Sequence, residues 1–125
     1  MIDHVSVGVA DLERSARFYE AALAGLGLSR LVMRPATIGF GKTYPELWIN
    51  LRAGMSKVPH ECGAHICLRA KTTAEIDAFH AAALGAGGTS DGLPGLRPHD
   101  RVKYYAAFVL DPDGNRIEAV TFPQG

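Results

Sequence analysis

The amino-acid sequence predicts an α+β fold made of two tandem βαβββ modules, one over residues 1–55 and the other over residues 62–125. Three observations predict it: an internal repeat at an offset of 61 positions, a second repeat at an offset of 70, and strand-like alternation of side chains at the start of each half. At 125 residues the chain has the length of one domain with a sizeable core. We therefore expect the two modules to form a single domain.

The first repeat relates the beginnings of the two halves. Segment 4–9 aligns with segment 65–70, so that His4 falls on His65. The match continues without a gap through Phe18 on Phe79, Ala21–Leu23 on Ala82–Leu84 and Gly27 on Gly88. A repeat of this kind predicts that the two halves share one order of strands and helices.

The second repeat relates the ends of the halves. It places Ala36–Phe40 on Ala106–Leu110, Leu47 on Ile117 and Trp48 on Glu118. Because its offset is larger, the second half must carry an insertion. The Gly- and Pro-rich stretch Gly92–Pro98 is the simplest place for it.

The first strand and helix follow from local patterns in the first half. Val5, Val7 and Val9 alternate with small or polar residues, as in a strand with one covered face. Asp11 is a good N-cap for the first helix, which the glycines of Gly25–Gly27 end.

The second half has matching signals. Thr72–Glu75 has the spacing of a capping box at a helix start, and Gly85–Gly88 ends that helix. Asp111–Asn115 has the composition of a turn that joins strands 104–110 and 116–122 as a hairpin.

Strand parity indicates three side chains that can bind a metal. If the valines of the first strand cover its helix, His4 must face the other way, and the same argument applies to His65 in the second half. In the last strand Ile117 and Ala119 share one face, which leaves Glu118 on the other. A glutamate in so apolar a strand is unusual, because an unpaired buried charge is costly. We expect the three to meet at one metal site if those faces close on each other.

Composition excludes several classes of partner. The formal net charge is zero and no long basic run exists, so we expect no nucleic-acid partner and no anionic membrane surface. No apolar stretch approaches the ~20 residues that span a bilayer. Met1–His4 is too polar and short to open a signal peptide, and the two cysteines form no C-x-x-C pair. We expect a cytoplasmic protein with reduced cysteines.

These motifs resemble the vicinal oxygen chelate superfamily, which includes glyoxalase I, bleomycin- and fosfomycin-resistance proteins and extradiol dioxygenases. The resemblance covers essentially the whole chain and rests on His4–Val7, Asp11–Leu12, Phe18–Tyr19, Ala64–Ile66 and Asp111–Glu118. Segment 97–108 is similar to a group of small bacterial glyoxalase-like proteins. The resemblance implies an open, eight-stranded, cup-shaped barrel with helices outside, and a homodimer. It also implies a divalent metal (Zn, Ni, Mn or Fe(II)) held by His4, His65 and Glu118.

The chain departs from two family patterns. Glyoxalase I has a fourth metal ligand where the repeat places Trp48 here, with Asn50 the nearest polar substitute and Glu46 at the entrance of the strand. The extradiol signature needs a histidine and a tyrosine before the ligand glutamate; His99 fits the first, but Phe108 stands at the second.

Further residues have candidate roles in catalysis or substrate binding. We expect His99 and Tyr105 to act with Glu118 as acid, base or substrate contacts, with a loop histidine and a packed aromatic as the alternatives. Trp48, Asn50 and Arg69 are candidate substrate-binding residues. Arg69 shares the face of His65 and could bind an anionic substrate or form an internal salt bridge. His60 in a loop and His80 on a helix are expected to have no role.

The sequence therefore suggests metal-assisted chemistry on a small substrate with two neighbouring oxygens. A lyase or isomerase reaction like that of glyoxalase I (lactoylglutathione lyase) is the first hypothesis, and a ring-cleaving Fe(II) dioxygenase the second. The alternative from another class is a non-catalytic protein that sequesters a drug or small molecule, of the bleomycin-resistance type.

Overall fold

A computed structural model describes residues 1–124 and confirms the α+β fold of two βαβββ modules. Its elements are β1 (Val5–Val9), α1 (Leu12–Ala24), β2 (Ser29–Arg34), β3 (Thr37–Gly41), β4 (Pro45–Leu51), β5 (His65–Arg69), α2 (Thr73–Gly85), β6 (Thr89–Arg97), β7 (Tyr104–Leu110) and β8 (Arg116–Thr121). The strands form two four-stranded sheets with the orders β1-β4-β3-β2 and β5-β8-β7-β6. The sheets are equivalent and neither closes on the other, as in an open cup. Neither helix of residues 1–124 has the length and apolar character needed to cross a membrane.

The strand registers show how far the two repeat alignments hold. Val5 pairs with Leu47 in the first sheet, and Ile66 pairs with Ile117 in the second, which are the positions that the alignments equate. The match of β3 to β7 is wrong by one residue. Gly39 pairs with Trp48, whereas Phe108 pairs with Glu118, which gives an offset of 69 between these middle strands. The β7–β8 turn is one residue longer, and such a slip exchanges the two faces of a strand.

The insertion predicted at Gly92–Pro98 is spread over a strand and a loop. Strand β6 runs through most of that stretch and has register shifts on both sides of Gly92. Residues 98–103 then form a connection to β7, whereas only residues 35–36 join β2 to β3. The extra residues therefore lengthen and bend the outer strand of the second sheet.

Both helices pack into one core between the modules. A Cβ atom placed on Gly88 would lie 2.4 Å from a ring carbon of Phe18, and one on Gly25 would lie 3.4 Å from Ala78. The buried core joins the two helices to the helix-covered sides of both sheets. Each sheet therefore has a second face that no helix covers, which we call its helix-free face. Both helix-free faces lie outside the shared core.

The Asp111–Asn115 turn links the second module to the first. Asp113 accepts hydrogen bonds from the Ala10 amide at 3.1 Å, the Arg14 guanidinium at 3.0 Å and the Ser15 hydroxyl at 3.3 Å. The Tyr19 hydroxyl donates to Asp111 at 2.6 Å. Burial raises the pKa of Asp111 above its ordinary value. Each buried carboxylate is thus stabilised by donors from α1, so the turn holds the modules together as well as reversing the chain.

Candidate functional site

The centre of the second helix-free face is a buried glutamate paired with a histidine. Glu118 lies in β8 between Cys67 of β5 and Phe108 of β7. Its neighbours Ile117 and Ala119 belong to the core on the opposite face. Glu118 Oε1 lies 3.0 Å from His65 Nε2, and the side chains are 3% and 45% exposed, respectively. The imidazole is therefore partly accessible to solvent, whereas the carboxylate beside it is enclosed.

A tyrosine completes the environment of this carboxylate. The Tyr104 hydroxyl donates to Glu118 Oε2 at 2.5 Å. Each carboxylate oxygen thus has at least one polar partner, which offsets the cost of burying the group. The hydrogen bond to Glu118 raises the pKa of Tyr104 above its ordinary value. Burial, aided by the Glu118 charge, raises the pKa of the Cys67 thiol to about 12, so that this cysteine is a protonated neighbour.

Aromatic rings surround the Glu118 group. The His99 ring stacks on the Tyr104 ring with 6.1 Å between centroids and 10° between planes. Phe122 meets Tyr104 edge-on at 5.5 Å, and Phe108 lies 6.3 Å from the His65 ring. His99 Nδ1 accepts backbone hydrogen bonds from its own loop. His99 therefore reaches the site through its contact with Tyr104.

The two adjacent tyrosines of β7 face opposite sides of the sheet. Tyr105, the candidate from the sequence, packs on the helix side, where its hydroxyl donates to Asp77 of α2 at 2.7 Å. No sequence pattern singled out Tyr104. The structure places it by the pairing of Phe108 with Glu118, because residues two and four positions before Phe108 share its face.

His4 lies apart from this group, on the helix-free face of the first module. It is exposed, and its Nδ1 lies 2.7 Å from Asp3 Oδ1. A shallow cavity of about 200 Å³ is lined by His4, Ser6, Arg34, Thr37, Trp48 and Asn50. Within residues 1–124, no group of three His, Cys, Asp or Glu side chains is placed to hold a metal ion. A single copy of the chain therefore supplies His4 and the His65–Glu118 pair on separate faces.

The His65–Glu118 pair has the spacing of two adjacent metal ligands. Two donor atoms ~2.1 Å from one ion and at a right angle to each other lie ~3.0 Å apart. Their observed separation is 3.0 Å. An imidazole and a carboxylate suit the transition metals that oxygen-chelating chemistry uses. The pair could therefore supply two ligands to a divalent ion, and any further protein ligands would have to come from other residues.

Trp48 forms the wall of the first helix-free face. A Cβ atom on Gly39 would lie 2.9 Å from two carbons of the indole, so only glycine lets the ring lie flat on β3. The Arg34 guanidinium carbon lies over the indole, 5.6 Å from the ring centroid. Beside it, Asn50 Oδ1 accepts a hydrogen bond from the Thr37 hydroxyl at 2.6 Å. Trp48 and Asn50 thus present an indole and an amide around His4.

Two further residues have surroundings that the sequence left open or misjudged. The Arg69 guanidinium lies 4.5 Å from the Phe122 ring centroid, so it stacks on an aromatic ring of the site. His80, expected to be an ordinary helix residue, is only 6% exposed, and its Nε2 lies 2.8 Å from Ser90 Oγ. Burial lowers the pKa of His80 below its ordinary value.

Comparison with known proteins agrees with this architecture. The family model of the glyoxalase/bleomycin resistance protein/dioxygenase superfamily matches residues 1–119. A glyoxalase/bleomycin resistance protein from Albidiferax ferrireducens is 36% identical, with a TM-score of 0.84 over 96% of this chain and 98% of that one.

More distant structures share the fold. A glyoxalase-related enzyme from Fulvimarina pelagi is 23% identical, with a TM-score of 0.71 over 96% of this chain and 86% of that one. A glyoxalase I variant from Zea mays is 25% identical, with a TM-score of 0.72 over 94% of this chain and 44% of that one. No curated protein matches the chain. The extent of the family match and the 36% identical structure establish that this chain belongs to the glyoxalase/bleomycin resistance protein/dioxygenase superfamily.

Proposed function

We propose that this protein is a metal-dependent lyase or isomerase that acts on a small substrate with two neighbouring oxygen atoms. The observation that carries the proposal is the buried Glu118 carboxylate, with His65 Nε2 at 3.0 Å and the Tyr104 hydroxyl on its other oxygen. The superfamily is typically metal-dependent and commonly dimeric. A carboxylate that can both bind a metal and accept a proton is what such an isomerisation requires.

The proposed site is completed by a second copy of the chain. His4 occupies the repeat position of His65 but lies on the other helix-free face, and both faces point out of the shared core. A two-fold dimer can lay the first face of one copy on the second face of the other, so that His4 of one copy joins His65 and Glu118 of the other. The same symmetry forms this site twice.

The edges of the sheets also favour a dimer. Strands β1 and β5 are edge strands, and unpaired edges are usually covered in native proteins. A cleft of about 330 Å³ is lined by apolar residues such as Val5, Val7 and Ile66, together with His65. We expect the second copy to cover part of this surface.

The roles of the protein groups follow from their positions. A bound divalent ion would supply Lewis-acid stabilisation of negative charge on a substrate oxygen. Glu118 Oε1 faces His65 and the open side of the site, so it is the oxygen suited to accept a proton. Tyr104 holds the other oxygen and fixes the carboxylate in one orientation. Trp48 and Phe108 provide apolar walls that exclude water, and His99 covers the outer side of Tyr104.

A mixing experiment tests both the ligand set and the assembly. The variants His4→Ala and Glu118→Gln are each expected to lose bound metal. The two variants are then refolded together in an equimolar mixture. With random pairing, about a quarter of the sites should combine a native His4 with a native Glu118, and metal binding should recover to that fraction. Metal per chain is measured after removal of excess Mn²⁺. A site formed within one chain predicts no recovery, and a protein that binds no divalent ion in any form supports the drug-binding alternative.

Turnover then identifies the reaction. The native protein is screened with α-oxoaldehyde–thiol adducts and with catechols, each in the presence of Zn²⁺, Ni²⁺, Mn²⁺ or Fe²⁺. Isomerisation of the adducts supports the proposal, whereas ring cleavage that needs Fe²⁺ and oxygen supports the dioxygenase hypothesis.

A further inference from the structure

Six of the nine arginines of this protein fall into two groups according to their side-chain partners. One group pairs with carboxylates along the helices and the outer parts of the sheets. These pairs are Arg14 with Asp113 at 3.0 Å, Arg30 with Glu20 at 2.8 Å and Arg116 with Asp91 at 3.0 Å. The positive charges of these three arginines are neutralised by carboxylates of the same chain.

The second group stacks on aromatic rings of the helix-free faces. The distances from guanidinium carbon to ring centroid are 5.6 Å for Arg34 on Trp48, 4.5 Å for Arg69 on Phe122 and 5.5 Å for Arg97 on Phe108. Within residues 1–124, none of these three arginines has a carboxylate within the 4.0 Å of a salt bridge. The faces that carry the candidate site therefore also carry positive charge without an internal counter-ion.

Arg97 is the most firmly held of the three. Its Nη1 donates to the Gly95 carbonyl at 3.0 Å, and its Nη2 donates to the Leu93 carbonyl at 2.6 Å. A Cβ atom on Gly92 would lie 3.0 Å from Phe108 Cδ1 and 3.1 Å from Arg97 Nη2, so this glycine leaves room for the stacked pair. The bent strand β6 thus holds the guanidinium over the Phe108 ring.

The fixed guanidinium still has hydrogen-bond donors to offer. A guanidinium has five N–H groups, and the two carbonyls account for two of them. The remaining donors can bind two oxygens of one anion at once, which is the geometry that distinguishes arginine from lysine. Because the side chain is already ordered, binding loses little side-chain entropy.

Arg97 also has a defined position relative to the Glu118 group. Phe108 pairs with Glu118 across the sheet, and its ring lies 6.3 Å from the His65 ring. Arg97 lies over the same Phe108 ring. A ligand with an anionic end at Arg97 and a flat body against Phe108 would therefore extend toward the His65–Glu118 pair.

We propose that Arg97 is a specificity-determining residue that binds the anionic group, a carboxylate or a phosphate, of a flat organic substrate lying on Phe108. The substrate of the site is then an organic anion. This inference deepens the proposed function, on which it rests for the chemistry at the other end of the substrate. Arg97 itself needs no metal to bind the anion.

Three simple probes test the proposal on the full-length chain. Benzoate and benzamide have the same shape but differ in charge, and phenyl phosphate carries the alternative anion. Dissociation constants are measured by NMR titration, with EDTA and again with Zn²⁺. We expect benzoate to bind about tenfold or more tightly than benzamide in both conditions, since charge-assisted hydrogen bonds are the stronger kind. A higher affinity for phenyl phosphate than for benzoate identifies the anion as a phosphate, and the reverse order identifies a carboxylate.

Two variants assign this discrimination to Arg97. Arg97→Gln should weaken benzoate binding about tenfold or more and leave benzamide binding unchanged. Arg97→Lys keeps the positive charge but lacks the paired N–H donors of a guanidinium, so it should give an intermediate loss of benzoate affinity. The matched control is Arg17→Gln, at an exposed position of α1, which should bind like the native protein. Equal affinities for benzoate and benzamide in the native protein, or full discrimination in Arg97→Gln, overturn the assignment.

Two results distinguish a failure of the proposed metal site from a failure of the proposed anion site. If the native protein binds no divalent ion but Arg97 still discriminates benzoate from benzamide, the metal-enzyme proposal falls and the anion site stands. If the native protein binds metal and turns over a neutral substrate without any effect of Arg97→Gln, the anion site falls and the metal enzyme stands.

Discussion

The two modules place different chemistry at equivalent points of the same backbone. In the first sheet Trp48 lies between Ser6 and Gly39, and in the second sheet Glu118 lies between Cys67 and Phe108. The large aromatic residue is thus on the central strand β4 in one module and on the neighbouring strand β7 in the other. Moving the aromatic ring to β7 leaves the central position of the second face free for a carboxylate.

This difference supports the proposal that the two faces of a duplicated fold together form one site. The first module contributes an indole wall and the exposed His4, whereas the second contributes a buried acid with two polar partners. Within residues 1–124, neither face alone brings together three side chains that could hold a metal ion. A dimer that joins unlike faces uses both, and we expect changes at the equivalent positions to have very different effects.

The largest effect is expected at Glu118. Glu118→Gln keeps the size of the side chain but removes a charged ligand and a base, and loss of a positioned base costs ~10²–10⁴-fold in rate. We expect loss of bound metal and of turnover, with the fold retained by circular dichroism. Glu61→Gln makes the same chemical change at an exposed position and should match the native protein. Full metal content and activity in Glu118→Gln would remove the basis of the proposed function.

The next effect compares the two adjacent tyrosines of β7. Tyr104→Phe leaves one oxygen of the buried Glu118 without its donor, which should lower the free energy of unfolding by about 1–3 kcal/mol and reduce turnover. Tyr105→Phe removes the hydrogen bond to the exposed Asp77 and should cost about 0.5–1.5 kcal/mol with turnover unchanged. Urea unfolding and initial rates measure both. The reverse order of effects on turnover would assign the catalytic face to the helix side of β7.

The neighbouring tyrosines also show what could be predicted from sequence. The repeat and the strand alternation were enough to predict the modules, the element order and the face on which Glu118 lies. Tyr104 was missed because the length of the β7–β8 turn decides the register, and one residue more or less exchanges Tyr104 with Tyr105. The links from Asp111 and Asp113 to α1 were also missed, because they join residues about 90 or more positions apart. The proposed second copy of the chain belongs to the assembly, and only the family resemblance, not a pattern within the chain, implied a homodimer.

The next prediction concerns the stability of the fold and the glycine that supports Trp48. In Gly39→Ala the new methyl group would lie 2.9 Å from two indole carbons, so the ring must shift or the strand must move. Such overpacking costs about 1–3 kcal/mol, which thermal or urea unfolding can measure. The control is Gly63→Ala, because a Cβ atom there meets nothing within 4 Å. Equal stabilities of the two variants would show that Trp48 does not lie flat on β3.

The smallest effect concerns a pair of equivalent positions in the helices. The first repeat alignment equates Tyr19 of α1 with His80 of α2, and both are buried with a polar partner, Asp111 for Tyr19 and Ser90 for His80. Only the histidine titrates near neutral pH. Because burial lowers the pKa of His80, the unfolded chain binds a proton more readily than the folded protein as the pH falls through the ordinary histidine range. Charging His80 therefore opposes folding, although the carboxylate of Asp77 partly offsets this.

His80→Gln should accordingly change the pH dependence of stability more than its value at neutral pH. The native protein is expected to lose stability from pH 7.5 to pH 5 by more than the variant, because the variant lacks the group that becomes charged. Urea unfolding at both pH values measures the two losses. If His80→Gln and the native protein lose equal stability, the buried position of His80 has no effect on its titration, and other groups cause the loss.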